Sequence, residues 1–342
     1  MEKNGLQPKL LHDALGRVHL IYFKIEEPKT RMGHLYYKQY QSTESTWSKP
    51  VQISQKSYHR PDVIATAKLA VDKQGRVHVT WLGQKPTGYM YSRSDLQHKK
   101  FEIPRSLVSK YLQGAEASAV ISTHKNQVTI SWMAGWDENM RTVYSMTSLD
   151  SGQSFGEEKM IGDQSIGGCG CCAYASDYNN QGDLLIAYRS ATNGNGRHMQ
   201  LLSIADQQKS TQLIDNWVYS SCPVSTNNLT RDASGNNWAT WETAGKIYTT
   251  NLTDGSIKVS LVREPKQDIR QKHPAAAFNN AGYKAIVWSE GNGYFSGGTL
   301  QIQLFDPKGS PVKTPSTKGM SLTKFGSAAV SSLPDGSFLV LY

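Results

Sequence analysis

The sequence predicts an all-β fold, a β-propeller built from four-stranded blades. Three observations carry that prediction. A phrase of two strands around a tight turn recurs seven times, at spacings of 47 to 59 residues. A second pair of strands follows six of the seven phrases. No segment sustains the apolar period of a helix, so helices should be few. Four strands in a repeat of about 50 residues is the arithmetic of a propeller blade.

The phrases read, in order, "LLHDALGRVHLIYF", "LAVDKQGRVHVTW", "AVISTHKNQVTISW", "YASDYNNQGDLLIAY", "LTRDASGNNWATW", "AAFNNAGYKAIVW" and "AVSSLPDGSFLVLY". Each opens on a short apolar stretch, turns at Gly16, Gly75, Asn126, Gly182, Gly235, Gly282 or Gly336, and runs through an alternating strand to an aromatic residue. Alternation marks the strand, and Gly or Asn supplies the positive φ that a tight hairpin turn needs. The outer strand pair is plain in "HLYYKQYQSTESTWSKPVQIS" and "TVYSMTSLDSGQSFGEEKMIG". Seven hairpins favour seven blades in a single domain spanning 1–342. The last phrase stops at Tyr342 without an outer pair, so six blades with a displaced terminal hairpin is the alternative count.

Composition fits many short strands joined by turns: charged residues make up 19 % of the chain, aromatics 10 %, and there are 29 glycines. No apolar run approaches the length of a membrane-spanning helix. The formal charge of +9 favours an anionic ligand, but the basic residues are scattered and no nucleic-acid motif accompanies them. The opening "MEKNGLQPKLLHD" lacks the apolar core of a signal peptide, so the protein is expected to be either cytoplasmic or exported with its leader absent from this chain.

One blade carries a more specific signal. In "SLDSGQSF", Ser148, Asp150, Gly152 and Phe155 stand in the order Ser-x-Asp-x-Gly-x-x-aromatic. This resembles the Asp box of the sialidase superfamily, which lies between a blade's third and fourth strands. There the carboxylate accepts turn N–H bonds, the glycine permits the turn and the aromatic packs between blades. The resemblance implies a structural role for Asp150, with no chemistry. "YQSTESTW" and "YSRSDLQHKKF" look like worn copies, keeping Trp47 in one and Asp95 and Phe101 in the other.

In a propeller the loops entering inner strands and leaving second strands converge on one face. The repeat register places there "YHRPDV", "GAEAS", "GGCGCC", "SSCPV" and "KHPAA" on the entering side. On the leaving side it places "MAGWDENMR", "YRSATNGNGRH", "WETAGK" and "WSEGNGYF". Sialidases bind a carboxylate with three arginines and use a Tyr–Glu nucleophile with an Asp acid/base. The resemblance therefore implies Arg60, Arg189 and Arg197 as an arginine cluster, since forked guanidinium groups suit a planar carboxylate. His198 and His273 are further ligand-binding candidates. Glu242 or Glu290 beside Tyr294 stands for the nucleophile pair, and Asp62 or Asp137 for the proton-handling acid. "HRPD" matches the family's Arg-Ile-Pro motif only loosely, because the middle residue is missing.

Three of the four cysteines, Cys169, Cys171 and Cys172, enter the fourth inner strand, and Cys222 enters the fifth. The register makes these segments neighbours. The simplest pairing joins one of the three to Cys222 across blades, leaving the other two locally bridged or reduced. The order "CGCCAYASD…AYRS…GRH…NWVYSSCP" resembles a group of uncharacterised sialidase-like propellers. In those a His pair follows the Cys-Pro; Val224 and Ser225 stand here instead. A Cu(I) or Zn site on the thiolates, with His198 or His273, is the alternative to a disulfide. No cofactor is otherwise expected, and a disulfide implies a periplasmic or secreted protein.

The reading is a sialidase-like propeller that recognises a glycan or other anionic small ligand, with exo-glycosidase action of sialidase type as its catalytic form. The rival is a non-catalytic propeller that binds a protein or cell-envelope component.

Overall fold

The computed structural model describes residues 2–342 except 60–63, 84–87, 114–115, 207, 254, 256, 267–268 and 292–295. Among the described residues every regular element is a strand. The first blade comprises β1 (Gly5–His12), β2 (Val18–Glu27), β3 (Met32–Gln41) and β4 (Thr46–Trp47), with two short strands, β5 (Val51–Gln52) and β6 (Tyr58–His59), after it. The second comprises β7 (Lys68–Val71), β8 (Val77–Gly83), β9 (Gly88–Arg93) and β10 (Arg105–Ser106). The third comprises β11 (Val120–His124), β12 (Gln127–Ala134), β13 (Thr142–Ser148) and β14 (Lys159–Met160), and the fourth β15 (Ala175–Tyr178), β16 (Leu184–Arg189), β17 (Met199–Ala205) and β18 (Gln208–Asp215). The fifth comprises β19 (Asn227–Arg231), β20 (Asn237–Thr243), β21 (Lys246–Asn251) and β22 (Ser260–Leu261). The sixth comprises β23 (Gln271–Phe278), β24 (Lys284–Glu290), β25 (Thr299–Phe305) and β26 (Pro311–Val312). A final pair, β27 (Ala329–Ser332) and β28 (Phe338–Leu341), forms a two-stranded sheet.

Within each blade the strands pair antiparallel in sequence order, which makes the fold a β-propeller of six four-stranded blades. The favoured count of seven is therefore corrected. The seventh phrase supplies only its hairpin, which packs beside β1 and β23.

The repeat has a local cause. At Asp13, Asp72, Asn179, Asp232 and Asn279 the side-chain Oδ1 accepts the backbone N–H groups two and four residues on. The residue three places on is glycine with φ between 77° and 94°, a region closed to most side chains. The third phrase departs: its turn has two residues, and the positive φ falls on Lys125 (58°) instead of on Asn126.

The aromatics that end the first six phrases, Phe23, Trp81, Trp132, Tyr188, Trp241 and Trp288, are at most 3 % exposed, whereas Tyr342 of the seventh is 46 % exposed. Two buried Asp–His–Tyr chains brace the first two blades. His19 bridges Asp13 (3.0 Å) and Tyr37 (2.8 Å), and His78 bridges Asp72 (3.2 Å) and Tyr91 (2.8 Å).

The described residues divide into two compact units, 2–50 with 225–342, and 51–59 with 64–224. In the second, Tyr89, Tyr91, Ile130, Trp132 and Tyr144 fill one core and Met133, Tyr174, Ile186, Tyr188 and Leu202 another. In the first, Ile247, Ile286, Trp288 and Phe305 form one cluster, and Val287, Leu300 and Val330 join the terminal hairpin to the sixth blade. Among the described residues no helix is long and apolar enough to cross a membrane.

Candidate functional site

The third and fourth blades bring four loops together at one end: 135–141 between β12 and β13, 161–174 leading into β15, 190–198 between β16 and β17, and 216–224 after β18. The first folds around Asp137, whose Oδ1 accepts the Asn139 N–H and whose carbonyl accepts the Arg141 N–H. Asp137 itself is exposed. Gly167 explains part of "GGCGCC". Its φ is 69°, and a Cβ there would lie 2.7 Å from the Glu138 carbonyl.

Three buried arginines lace these loops. Arg141 donates to the carbonyls of Gly135 (2.9 Å) and Gly168 (3.0 Å). Arg189 donates to the Arg197 carbonyl at 2.8 Å, and its guanidinium lies 5.0 Å from the centre of the Trp217 ring. Arg197 grips both Glu138 oxygens, at 2.9 and 3.1 Å. Of the proposed arginine cluster, Arg189 and Arg197 thus come together, each engaged by its own chain. Arg60 lies outside the described residues, as do Asp62 and Tyr294.

Cys171 and Cys222 form a disulfide with Cα atoms 6.4 Å apart, the cross-blade pairing that the repeat register anticipates. Cys169 and Cys172 are buried thiols, with Sγ atoms 3.0 Å apart. Cys169 Sγ also lies 3.3 Å from Cys171 Sγ. Its thiol is held below the ordinary range by the hydrogen bond with Cys172; burial opposes this, while the Arg197 charge and the Cys171 N–H assist. Among the described residues this is the one His, Cys, Asp and Glu group with ligand-like spacing, its three sulfurs lying within 4.8 Å. With Cys171 in the disulfide it offers a metal two thiols, short of the three or four that a structural zinc or soft-metal site uses. His198 does not complete the set, because its Nδ1 accepts the Trp217 N–H at 3.1 Å.

That bond fixes the His198 ring with Nε2 as the protonated nitrogen. Burial, and then the Arg189 charge, push its pKa below the ordinary 6.5, so the ring is neutral at pH 7. Trp217 and Tyr219 stack on each other, with centroids 5.1 Å apart and planes at 14°. They belong to an extended segment that bridges Gly196 through Val218 and donates the Tyr219 N–H to the Asn195 carbonyl at 2.8 Å. Tyr219 is exposed and Trp217 half-buried, and Trp136 on the neighbouring loop is 81 % exposed. The Trp217–Tyr219 pair was not singled out from the sequence. Its signal was the alternation Trp-x-Tyr, which puts both rings on one side of an extended chain.

In the first unit Glu242 and Glu290 are buried at the ends of β20 and β24. Glu242 accepts the Gly245 N–H at 2.8 Å and lies 3.7 Å from Lys272. Glu290 accepts from Gln271 (3.1 Å) and Trp288 (3.3 Å). His273 occupies a bulge in β23 with φ 57°, its Nδ1 3.5 Å from Thr226 Oγ1.

The Ser148–Phe155 turn lies between β13 and β14, where the Asp-box resemblance puts it. Ser148 Oγ accepts the Gly152 N–H (2.8 Å) and donates to Asp150, whose carboxylate also accepts from Ser154 N–H and Oγ. These bonds hold the Asp150 carboxyl well below its ordinary range. Phe155 meets Tyr91 of the second blade edge-on at 5.1 Å.

No protein-family model and no curated protein matches the chain. Solved structures do. An ulvan lyase of polysaccharide lyase family PL25, bound to -[GlcA(1-4)Rha3S]-, is 11 % identical with a TM-score of 0.60, covering 98 % of this chain and 91 % of its own. The lectin of Aleuria aurantia, in complex with Fucalpha1-6GlcNAc, is 10 % identical with a TM-score of 0.55, covering 92 % of this chain and 98 % of its own. A Hadza microbial sialidase is 11 % identical with a TM-score of 0.51, covering 84 % of this chain and 64 % of its own. The fold is therefore that of the sialidases and other carbohydrate-active β-propellers.

Proposed function

We propose that this protein is a carbohydrate-binding propeller whose ligand stacks on the Trp217–Tyr219 platform. The carrying observation is that pair, with Tyr219 exposed and Trp217 half-buried, held by a backbone bridge and backed by the Arg189 guanidinium. A sugar ring presents a C–H face that stacks on aromatic planes, while its hydroxyls bond to polar groups beside them. Here His198 and the polar 190–198 loop stand next to the platform, and the formal charge of +9 favours an acidic glycan. Binding is favoured over cleavage because Arg189, Arg197, Glu242 and Glu290 are each occupied by partners in their own unit. The carbohydrate-active propellers of the same fold support the ligand class.

A glycan array carrying neutral and acidic sugars, run beside chromogenic sialosides and other glycosides, tests this. Array binding without turnover is the expected result. Turnover abolished by Glu242→Gln or Glu290→Gln returns the exo-glycosidase reading, and neither binding nor turnover favours the protein-interaction propeller.

A further inference from the structure

The four cysteines are more than a staple. Cys169-Gly-Cys171-Cys172 contains a Cys-x-x-Cys pair, Cys169 with Cys172, set against the disulfide that Cys171 makes with Cys222. Cys169 Sγ is the middle sulfur, 3.0 Å from Cys172 Sγ and 3.3 Å from Cys171 Sγ. Both are van der Waals contacts or closer, the approach from which a thiolate attacks sulfur. The ends of the set differ in access. Cys169 and Cys172 are each 1 % exposed, whereas Cys222 is exposed.

We infer that the four cysteines form an intramolecular thiol–disulfide exchange centre, through which the buried Cys169–Cys172 pair and the Cys171–Cys222 disulfide interconvert. In the first step Cys169, as thiolate, attacks Cys171 Sγ. The Cys169–Cys171 bond forms, the Cys171–Cys222 bond breaks, and Cys222 leaves as a thiolate that takes up a proton from solvent, replacing the one Cys169 released. In the second, Cys172 attacks Cys169 Sγ, the Cys169–Cys172 bond forms, and Cys171 leaves and takes the proton from Cys172. Each side holds one disulfide and two thiols, so the exchange consumes no oxidant or reductant.

The surroundings favour the attacking thiolate. Cys169 is held below the ordinary thiol range by its Cys172 hydrogen bond, and the Arg197 charge assists. The consequence is local. The product frees Cys222, and with it the 216–222 segment that carries Trp217 and Tyr219, from the Cys169–Cys172 turn. The chemistry stands independently of the carbohydrate reading.

The test is labelling of the native protein, without reductant, by a bulky maleimide-polyethylene glycol, followed by denaturation and disulfide mapping by mass spectrometry. The expected product carries adducts on Cys222 and Cys171 and a Cys169–Cys172 disulfide, at a rate independent of protein concentration. Cys172→Ser should halt after the first step, with Cys222 labelled and Cys169 bonded to Cys171. Cys169→Ser should label at Cys222 at least about tenfold more slowly. Circular dichroism reports whether each variant folds, and if Cys169→Ser does not, the Cys172→Ser product decides. Retention of the Cys171–Cys222 bond in both wild type and Cys172→Ser overturns the inference, as does equal Cys222 labelling in a folded Cys169→Ser.

Discussion

Arg197 grips both carboxylate oxygens of Glu138 and so ties the 190–198 loop to the 135–141 loop. A guanidinium held this way braces the two loops against each other. Arg197→Lys keeps the charge and loses the fork. It should lower stability by about 1–3 kcal/mol, the usual loss for a charge-assisted hydrogen bond, read from chemical denaturation. If Arg197→Lys left stability unchanged but abolished carbohydrate binding, Arg197 would be a ligand contact and the bracing account would be wrong.

The turn that resembles an Asp box makes a sharper structural prediction. Gly152 has φ 79°, and a Cβ there would lie within bonding distance of the Tyr91 hydroxyl. Gly152→Ala combines a left-handed backbone with overpacking and should cost about 3 kcal/mol. Denaturant midpoints check this, and Ser148→Ala, which strips the Gly152 N–H of its acceptor, should cost about 1–3 kcal/mol.

Lys284 gives a pH signature. Buried beneath Trp238 (4.1 Å) and Phe305 (4.9 Å), its ammonium is pushed down to about 8 by desolvation from an ordinary 10.5. The unfolded chain therefore binds that proton more tightly between those values, and stability rises with pH across them. Relative to Lys284→Met, the wild type should gain about 2 kcal/mol between pH 7 and pH 9.5. A flat difference curve would show that the ammonium keeps its hydration.

The propeller was legible because its cause is local: an Asp or Asn accepting two N–H groups over a glycine recurs in the sequence itself. That one of Cys169, Cys171 and Cys172 pairs with Cys222 was legible from the same register, whereas the choice of Cys171 was not. The partners of the arginines were not. That Arg197 faces Glu138, 59 residues away, and Arg189 faces Trp217 depends on loop paths that no period encodes. The favoured count of seven gave way to the alternative of six where the last phrase persists without its outer strands.

His198 should make binding pH-dependent. Its ring is neutral at pH 7, and its Nδ1 accepts the Trp217 N–H. Protonation replaces that acceptor with a donor, so affinity should hold from pH 8 to pH 7 and fall below the ordinary imidazole value of 6.5. Titrations of wild type and His198→Gln check this, and the variant should lose the acid dependence.

The central claim rests on the aromatic platform, and calorimetric titration of the best array glycan into wild type, Trp217→Ala and Tyr219→Ala tests it most directly. Each variant should retain its circular dichroism spectrum and bind at least about tenfold more weakly, a loss of about 1.4 kcal/mol or more. Folded variants that bind as tightly as wild type would contradict the account and move the ligand to another surface of the propeller.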